Sequence, residues 1–196
     1  MNLAHPIKKT KDLKNFKDYY KEIKPNHRNE VLIILGLNTA LRISDVLSLT
    51  WGAVYNFEKE EYKNHIILIE QKTGKVSQIY LNTNVLEALK NYKEDLQKKD
   101  KIVDSHTFIF KHSNKNVPIT RTQAFRIIKK AADYCDIAGV ISCHSLRKTF
   151  GYHAWKQGVP SALLVTVFNH SSFDITKRYL GIEQDDKDNI FKKIKL

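Results

Sequence analysis

His144 and Arg147 stand three residues apart in Cys143-His144-Ser145-Leu146-Arg147. On a helix that spacing puts both side chains on one face. An Arg guanidinium is a planar fork of donors suited to phosphate oxygens, and an imidazole can move a proton near neutral pH. The pair therefore suits an anionic substrate, although a lone H-x-x-R fits a solvated basic helix face better. Tyr179 closes the run Asn169-His170-Ser171-Ser172-Phe173-Asp174-Ile175-Thr176-Lys177-Arg178-Tyr179-Leu180. A phenol titrates at about 10, so Tyr179 becomes a nucleophile only beside cations or a base. Without them it is one packing tyrosine among nine. Arg42 lies between apolar neighbours in Thr39-Ala40-Leu41-Arg42-Ile43-Ser44-Asp45-Val46-Leu47-Ser48-Leu49. Burying an Arg is costly unless it is paired, and Asp45 is its expected partner. That pair is either purely structural or an Arg oriented toward phosphate with Asp45 behind it. Lys72 sits in Gln71-Lys72-Thr73-Gly74-Lys75, where a turn lysine is by default unremarkable.

The elements that must position these groups follow from periodicity and breakers. Phe16, Tyr19, Tyr20 and Ile23 are spaced for one apolar face of a short Lys-rich helix. Pro25-Asn26 ends it and opens a second helix whose run Val31-Leu32-Ile33-Ile34-Leu35 predicts burial. Ser44 is the expected N-cap of a short helix over Asp45 to Leu49. His65 to Glu70 and Val76 to Leu81 read as a hairpin with Gly74 in its turn. Asn84 is the expected cap of a long helix presenting Val85, Leu86, Leu89, Tyr92 and Leu96. Thr107 to Phe110 reads as a short strand, and Thr120 caps a helix bearing Ala124, Ile127, Ile128 and Ala131. The last third, from Ser142 on, reads as helical with a break at Gly158-Val159-Pro160. The fold class expected is mostly α with a small antiparallel β-sheet of about three strands (α+β).

The 196 residues suit one domain with short appendages. The expected division is a basic helical segment over 1–24, a catalytic domain over 25–182 and a tail helix over 183–196. Lys and Arg number 33 against 21 Asp and Glu, for a net charge of +12. That imbalance favours a polyanionic partner, either nucleic acid or an acidic membrane surface. Two cysteines, Cys135 and Cys143, are too few for a disulfide scaffold. No apolar run approaches the roughly 20 residues of a membrane span, and the N-terminus lacks a signal peptide's apolar region. A cytoplasmic location without membrane attachment is expected. No zinc spacing or phosphate-binding glycine loop is present.

Taken in order, the four motifs resemble the tyrosine recombinase (phage integrase) family over about residues 25 to 182. Thr39 to Leu49 resembles the family's T-G-L-R-I-S-E-L stretch, and Gln71 to Lys75 its β-turn lysine element. His144-Ser145-Leu146-Arg147 matches the H-x-L-R box. His170-Ser171-Ser172 through Thr176 and Tyr179 resembles the L-G-H-S-S-x-x-T-T-x-x-Y end. Ala40 and Asn169 stand where the family usually has Gly, Phe168 where it has Leu, and Ile175 where Thr is common.

The resemblance implies a role for each residue. Arg42 and Arg147 would hold the non-bridging oxygens of a scissile phosphate. Lys72 would protonate the departing 5′ oxygen, and His144 would assist proton transfer from Tyr179. His170 would hydrogen-bond the phosphate, and Asp45 would orient the site. Tyr179 would attack phosphorus and form a 3′-phosphotyrosine link. Such a displacement gathers charge on the phosphoryl oxygens, which fixed donors stabilise, so no metal, ATP or cofactor is expected. The implied partner is double-stranded DNA. The implied assembly is a homo-tetramer on DNA, compatible with a free monomer and with an accessory DNA-bending or directionality protein. The tail, through Ile190, Phe191 and Ile194, would dock on a neighbour. The family usually carries a helical DNA-binding domain ahead of the catalytic one, and the basic segment 1–24 is expected to substitute for it in part by gripping phosphates. Two other readings share much of this pattern: a type IB topoisomerase-like relaxer and a non-catalytic DNA-binding relative. The full set of six site residues argues against the second, since a binder needs no nucleophile.

Overall fold

The computed structural model describes residues 4–113 and 115–182, together with 186, 188, 191, 192 and 194. The first helix, α1 (Thr10–Asp18), runs into a π-helical turn over Tyr19–Ile23. Phe16, Tyr19 and Tyr20 are buried as the spacing predicts, but Ile23 is half exposed. A π turn takes in one extra residue, which rotates Ile23 off the buried stripe. The Asn26 side chain accepts from the Asn29 N–H at 3.0 Å and caps α2 (His27–Asn38). Val31, Leu32, Ile33 and Leu35 are buried around much of its circumference, as expected of a central helix.

Next come α3 (Ile43–Leu47) and α4 (Trp51–Val54), then the short strands β1 (Tyr55–Asn56) and β2 (Glu61–Tyr62). The N-cap position of α3 is Arg42 rather than Ser44, with extended backbone at φ −73°, ψ 149°. The predicted hairpin forms from β3 (His65–Ile69) and β4 (Val76–Tyr80), with Gly74 at φ +67° in the turn. Its register pairs Ile69 with Val76 and His65 with Tyr80. The long helix α5 (Thr83–Lys98) is capped by Asn82, whose side chain accepts from the Val85 N–H at 3.1 Å. Asn84 therefore lies inside the first turn.

The small strands β5 (Lys111–His112) and β6 (Lys115–Pro118) follow. Thr120 then caps α6 (Arg121–Tyr134) in a reciprocal box with Gln123. The last third holds α7 (Cys143–Lys156), α8 (Ser161–Phe168) and α9 (Phe173–Leu180), with the break after Gly158 where expected. No described helix is long and apolar enough to cross a membrane.

The fold is mostly α, as predicted, but among the described residues the strands form three separate two-stranded antiparallel sheets, not one. The Thr107 to Phe110 run contributes a single bridge, Phe108 to Thr50. Ile109 and Phe110 are fully buried in the core beside α5, and Tyr92 Oη donates to the Ile109 carbonyl at 3.3 Å. Backbone bonds flank that bridge, from the Ile109 N–H to the Leu49 carbonyl at 3.0 Å and from the Trp51 N–H to the Thr107 carbonyl at 2.9 Å, so pairing and packing together hold the run.

Three apolar clusters organise the described residues. The largest joins α2, α5 and the hairpin through Leu32, Leu35, Trp51, Leu81 and Leu89. A second brings Phe16, Tyr19 and Tyr20 against Ile33, Ile128 and Leu146, so residues 4–24 share a core with α2, α6 and α7. The third is small: Ala40, Leu164, Phe168 and Leu180, with Tyr179 packed on its edge. Residues 4 to 8 strap the back of α7. Ile7 N–H donates to Thr149 Oγ1 at 2.8 Å, and Lys148 Nζ donates to the Ala4 carbonyl at 2.7 Å. Of the tail anchors expected, Ile190 lies outside the described residues, while Phe191 and Ile194 are exposed.

Candidate active site

Arg147 is the buried centre of the site, only 4% exposed on α7. Its Nη1 donates to the Ala40 carbonyl, and its Nη2 donates to the Phe168 carbonyl at 3.1 Å. The guanidinium also lies 4.9 Å from the centroid of the Phe168 ring. Ala40 takes φ +54°, a left-handed conformation that costs a non-glycine residue about 1–2 kcal/mol. That backbone turns its carbonyl toward Arg147. Asn169, the cap of α8, adopts φ +51°, ψ +40°, a conformation Asn tolerates better than most residues.

Arg42 does not pair with Asp45. Its guanidinium bonds to Glu70, at the end of β3. From the extended N-cap position the Arg42 side chain leaves α3 toward the hairpin, whereas Asp45 lies inside the helix. Asp45 Oδ1 accepts the Gln71 N–H at 2.9 Å, and its buried Oδ2 has no hydrogen-bond partner among the described residues. Asp45 thus pins the hairpin turn at the residue before Lys72. Lys72 itself is exposed in that turn.

His144 stands exposed in the first turn of α7. Partial desolvation and the nearby charges of Arg147, Lys148, Lys72 and Arg42 hold its imidazole below the ordinary histidine value. His170 bonds through Nδ1 to Thr176 Oγ1 at 3.0 Å. Its ring stacks on Phe168 and meets the Tyr179 ring edge-on, with centroids 5.1 Å apart at 77°. Desolvation, then Arg147 and Arg42, lower its pKa too. Tyr179, on α9, packs on Phe168 and lies beneath Lys148 Nζ, 5.2 Å from the ring centroid. Burial raises the phenol's pKa, and the charges of Arg147 and Arg42 pull the other way. Burial likewise lowers the pKa of Arg147, in part offset by Tyr179.

All six predicted groups therefore fall within one electrostatic neighbourhood, although they come from the α3 entry, the hairpin, α7, the α8–α9 turn and α9. Two participants escaped the sequence reading. Glu70 is 3% exposed and accepts from Arg42, from Ser77 Oγ at 2.7 Å and from Thr73 Oγ1 at 3.1 Å. The signal available was an unpaired carboxylate closing an apolar strand, with Thr73 and Ser77 just beyond. Lys148, buried between the strap and Tyr179, had no signal beyond its place after Arg147.

The sequence profile described as the phage integrase family matches residues 9–185. The chain belongs to the phage integrase family. It is 35% identical over 185 residues to a probable integrase/recombinase, YoeC, of Bacillus subtilis (strain 168), covering 94% of this chain and 93% of that one. It is 25% identical to the tyrosine recombinase XerC of Thermodesulfovibrio yellowstonii over 80% of this chain, but spans only 50% of that relative. The fold is shared with a XerH site-specific recombinase bound to its difH substrate in a post-cleavage complex. That likeness has a TM-score of 0.76 and 16% identity, over 98% of this chain and 54% of the other. It is shared also with a lambda integrase dimer bound to a core site, at a TM-score of 0.68 and 16% identity, over all of this chain and 65% of that one. The expected tyrosine recombinase catalytic-domain fold is thereby established.

Proposed function

We propose that this chain is a site-specific DNA recombinase or integrase that breaks and rejoins duplex DNA through Tyr179. The observation that carries this reading is the packing of Tyr179 against Phe168 and His170, with ring centroids 5.3 and 5.1 Å away, where the buried Arg147 guanidinium lies 4.9 Å from the same Phe168 ring. In the step proposed, a bond forms between Tyr179 Oη and phosphorus, and the bond from phosphorus to the 5′ oxygen breaks. The phenolic proton passes toward neutral His144, and Lys72 donates a proton to the departing oxygen. Arg42, Arg147 and His170 hold the phosphoryl oxygens as their charge grows, the preorganised electrostatics on which such reactions depend. The link conserves bond energy, so a 5′ hydroxyl can reverse the step without ATP.

The DNA-bound state of the XerH and lambda integrase structures supports double-stranded DNA as the partner, as does the net charge of +12. Strand exchange between two duplexes would take four copies.

Covalent trapping tests the reading. Nicked duplexes from a randomised pool are incubated with wild-type protein or Tyr179→Phe, denatured and resolved by electrophoresis. A slow-migrating adduct in the wild type only is expected, with DNA binding retained by Tyr179→Phe. An adduct formed by the Phe variant would remove Tyr179 as nucleophile. Tight binding with no adduct would leave a non-catalytic DNA-binding protein. Exchange of markers between two plasmids separates a recombinase from a relaxing enzyme.

A further inference from the structure

Glu70 is filled with donors. Its Oε2 takes Arg42 and Thr73 Oγ1, and its Oε1 takes Ser77 Oγ at 2.7 Å and Asn169 Nδ2 at 3.0 Å. An ionised carboxylate offers about four acceptor sites and no donor, so these four donors match the charged form. Burial alone would push the carboxyl pKa up, but the hydrogen bonds from Ser77, Arg42 and Thr73 outweigh it and hold the group below its ordinary value. One buried carboxylate thus touches the α3 entry, the hairpin and the turn between α8 and α9.

Asn169 carries the last of these contacts. Its left-handed backbone lets the His170 N–H return to the Val165 carbonyl at 3.1 Å. A glycine would adopt that backbone at no steric cost. The asparagine adds an amide that reaches Glu70 across 99 positions of sequence.

We propose that Glu70 and Asn169 are positioning residues: the Asn169 amide, acting through the Glu70 carboxylate, sets the turn that carries His170 against the Arg42 guanidinium. Arg42 and His170 serve the same phosphate in the reading above, on which this inference rests. Their mutual placement must hold to a fraction of an ångström, because a misplacement of about 1 Å can cost on the order of 100-fold in rate. Both groups are cationic or can become so, and the carboxylate between their elements is what lets them approach.

Asn169→Gly is the decisive variant, because it keeps the backbone conformation and removes only the amide. The probe is a nicked duplex selected from a randomised library for covalent capture by the wild-type protein. At saturating DNA, Asn169→Gly is expected to form the Tyr179 adduct about 10-fold more slowly, with binding and thermal midpoint kept, and Glu70→Gln about 100-fold more slowly. In the Glu70→Gln background, Asn169→Gly should add no further loss, since the two act through one contact. Asn169→Gly at the wild-type rate would overturn the inference, as would losses that simply multiply in the double variant. Should Glu70→Gln fail to fold, the single Asn169→Gly rate still decides. Absence of any wild-type adduct would overturn the cleavage reading and this inference together. An adduct in the wild type with an unslowed Asn169→Gly overturns the inference by itself.

Discussion

Arg147 is joined to Phe168 twice: Nη2 donates to the Phe168 carbonyl at 3.1 Å, and the guanidinium lies 4.9 Å from the centroid of the same residue's ring. A third contact runs from Nη1 to the Ala40 carbonyl. The fork geometry locks the guanidinium in one plane, which an ammonium on a flexible stem cannot reproduce. Arg147→Lys is therefore expected to lower the rate of covalent adduct formation by about 100- to 1000-fold, the cost of one preorganised donor. Adduct formation by Arg147→Lys at a rate near wild type would show that charge suffices and geometry does not matter.

His144 has its charged form disfavoured by desolvation and by Arg147, Lys148, Lys72 and Arg42. The neutral imidazole, the form able to accept a proton, thus persists to lower pH than in an unperturbed histidine. Cleavage should hold as pH falls past the ordinary value of about 6.5 and decline only below it. Stability responds with the same sign. Unfolded imidazoles take up protons first, so the lowered pKa values of His144 and His170 make the folded state lose stability as pH drops through that value. Single-turnover rates across pH check the first point, and thermal midpoints the second. An acid limb centred above the ordinary histidine value would contradict both.

Gly151 lies in α7 where the helix meets α8 and α9. A Cβ there would stand 2.5 Å from Phe168 Cζ and in closer conflict with Leu180 Cδ2. Helix propensity favours Ala over Gly by about 1 kcal/mol, but overpacking a filled core costs about 1–3 kcal/mol. Both conflicting side chains are fully buried, so the steric effect should win. Gly151→Ala is expected to lower the thermal midpoint and to slow cleavage, since Phe168 supports both Arg147 and Tyr179. A raised midpoint would mean that this corner is loosely packed.

Affinity for duplex DNA should fall steeply with salt. Each phosphate neutralised releases counterions, giving a slope of about −0.9 per contact in a plot of log affinity against log salt. With a net charge of +12, several contacts are expected, and a flat response measured by filter binding or anisotropy would argue against binding along the backbone.

Asp45 and Glu70 illustrate how far local reasoning reaches. Local spacing marked Arg42 as needing an acid, and Asp45 was the nearest carboxylate in sequence. The structure gives the role to Glu70, 28 positions away, because the extended cap residue points its side chain out of α3 and across to the hairpin. Helix caps show the same limit on a smaller scale. Asn82 and Asn84 both have capping chemistry, and only the path of the chain leaving β4 selects Asn82. The strands behaved likewise: hairpin propensity placed β3 and β4 correctly, but whether further strands join them depends on edges that no local pattern describes.

By itself the sequence determined the fold class, the hairpin, most helices and the family, because periodicity, breakers and four ordered motifs are local properties of the chain. Its resemblance to the family also nominated the six groups proposed to serve a phosphate. Tertiary structure alone decided which carboxylate neutralises Arg42, that Lys148 sits over the Tyr179 ring, and that Asn169 reaches Glu70. Those relationships join residues tens of positions apart. Their energies depend on distance, burial and direction, which come into existence only when the elements pack.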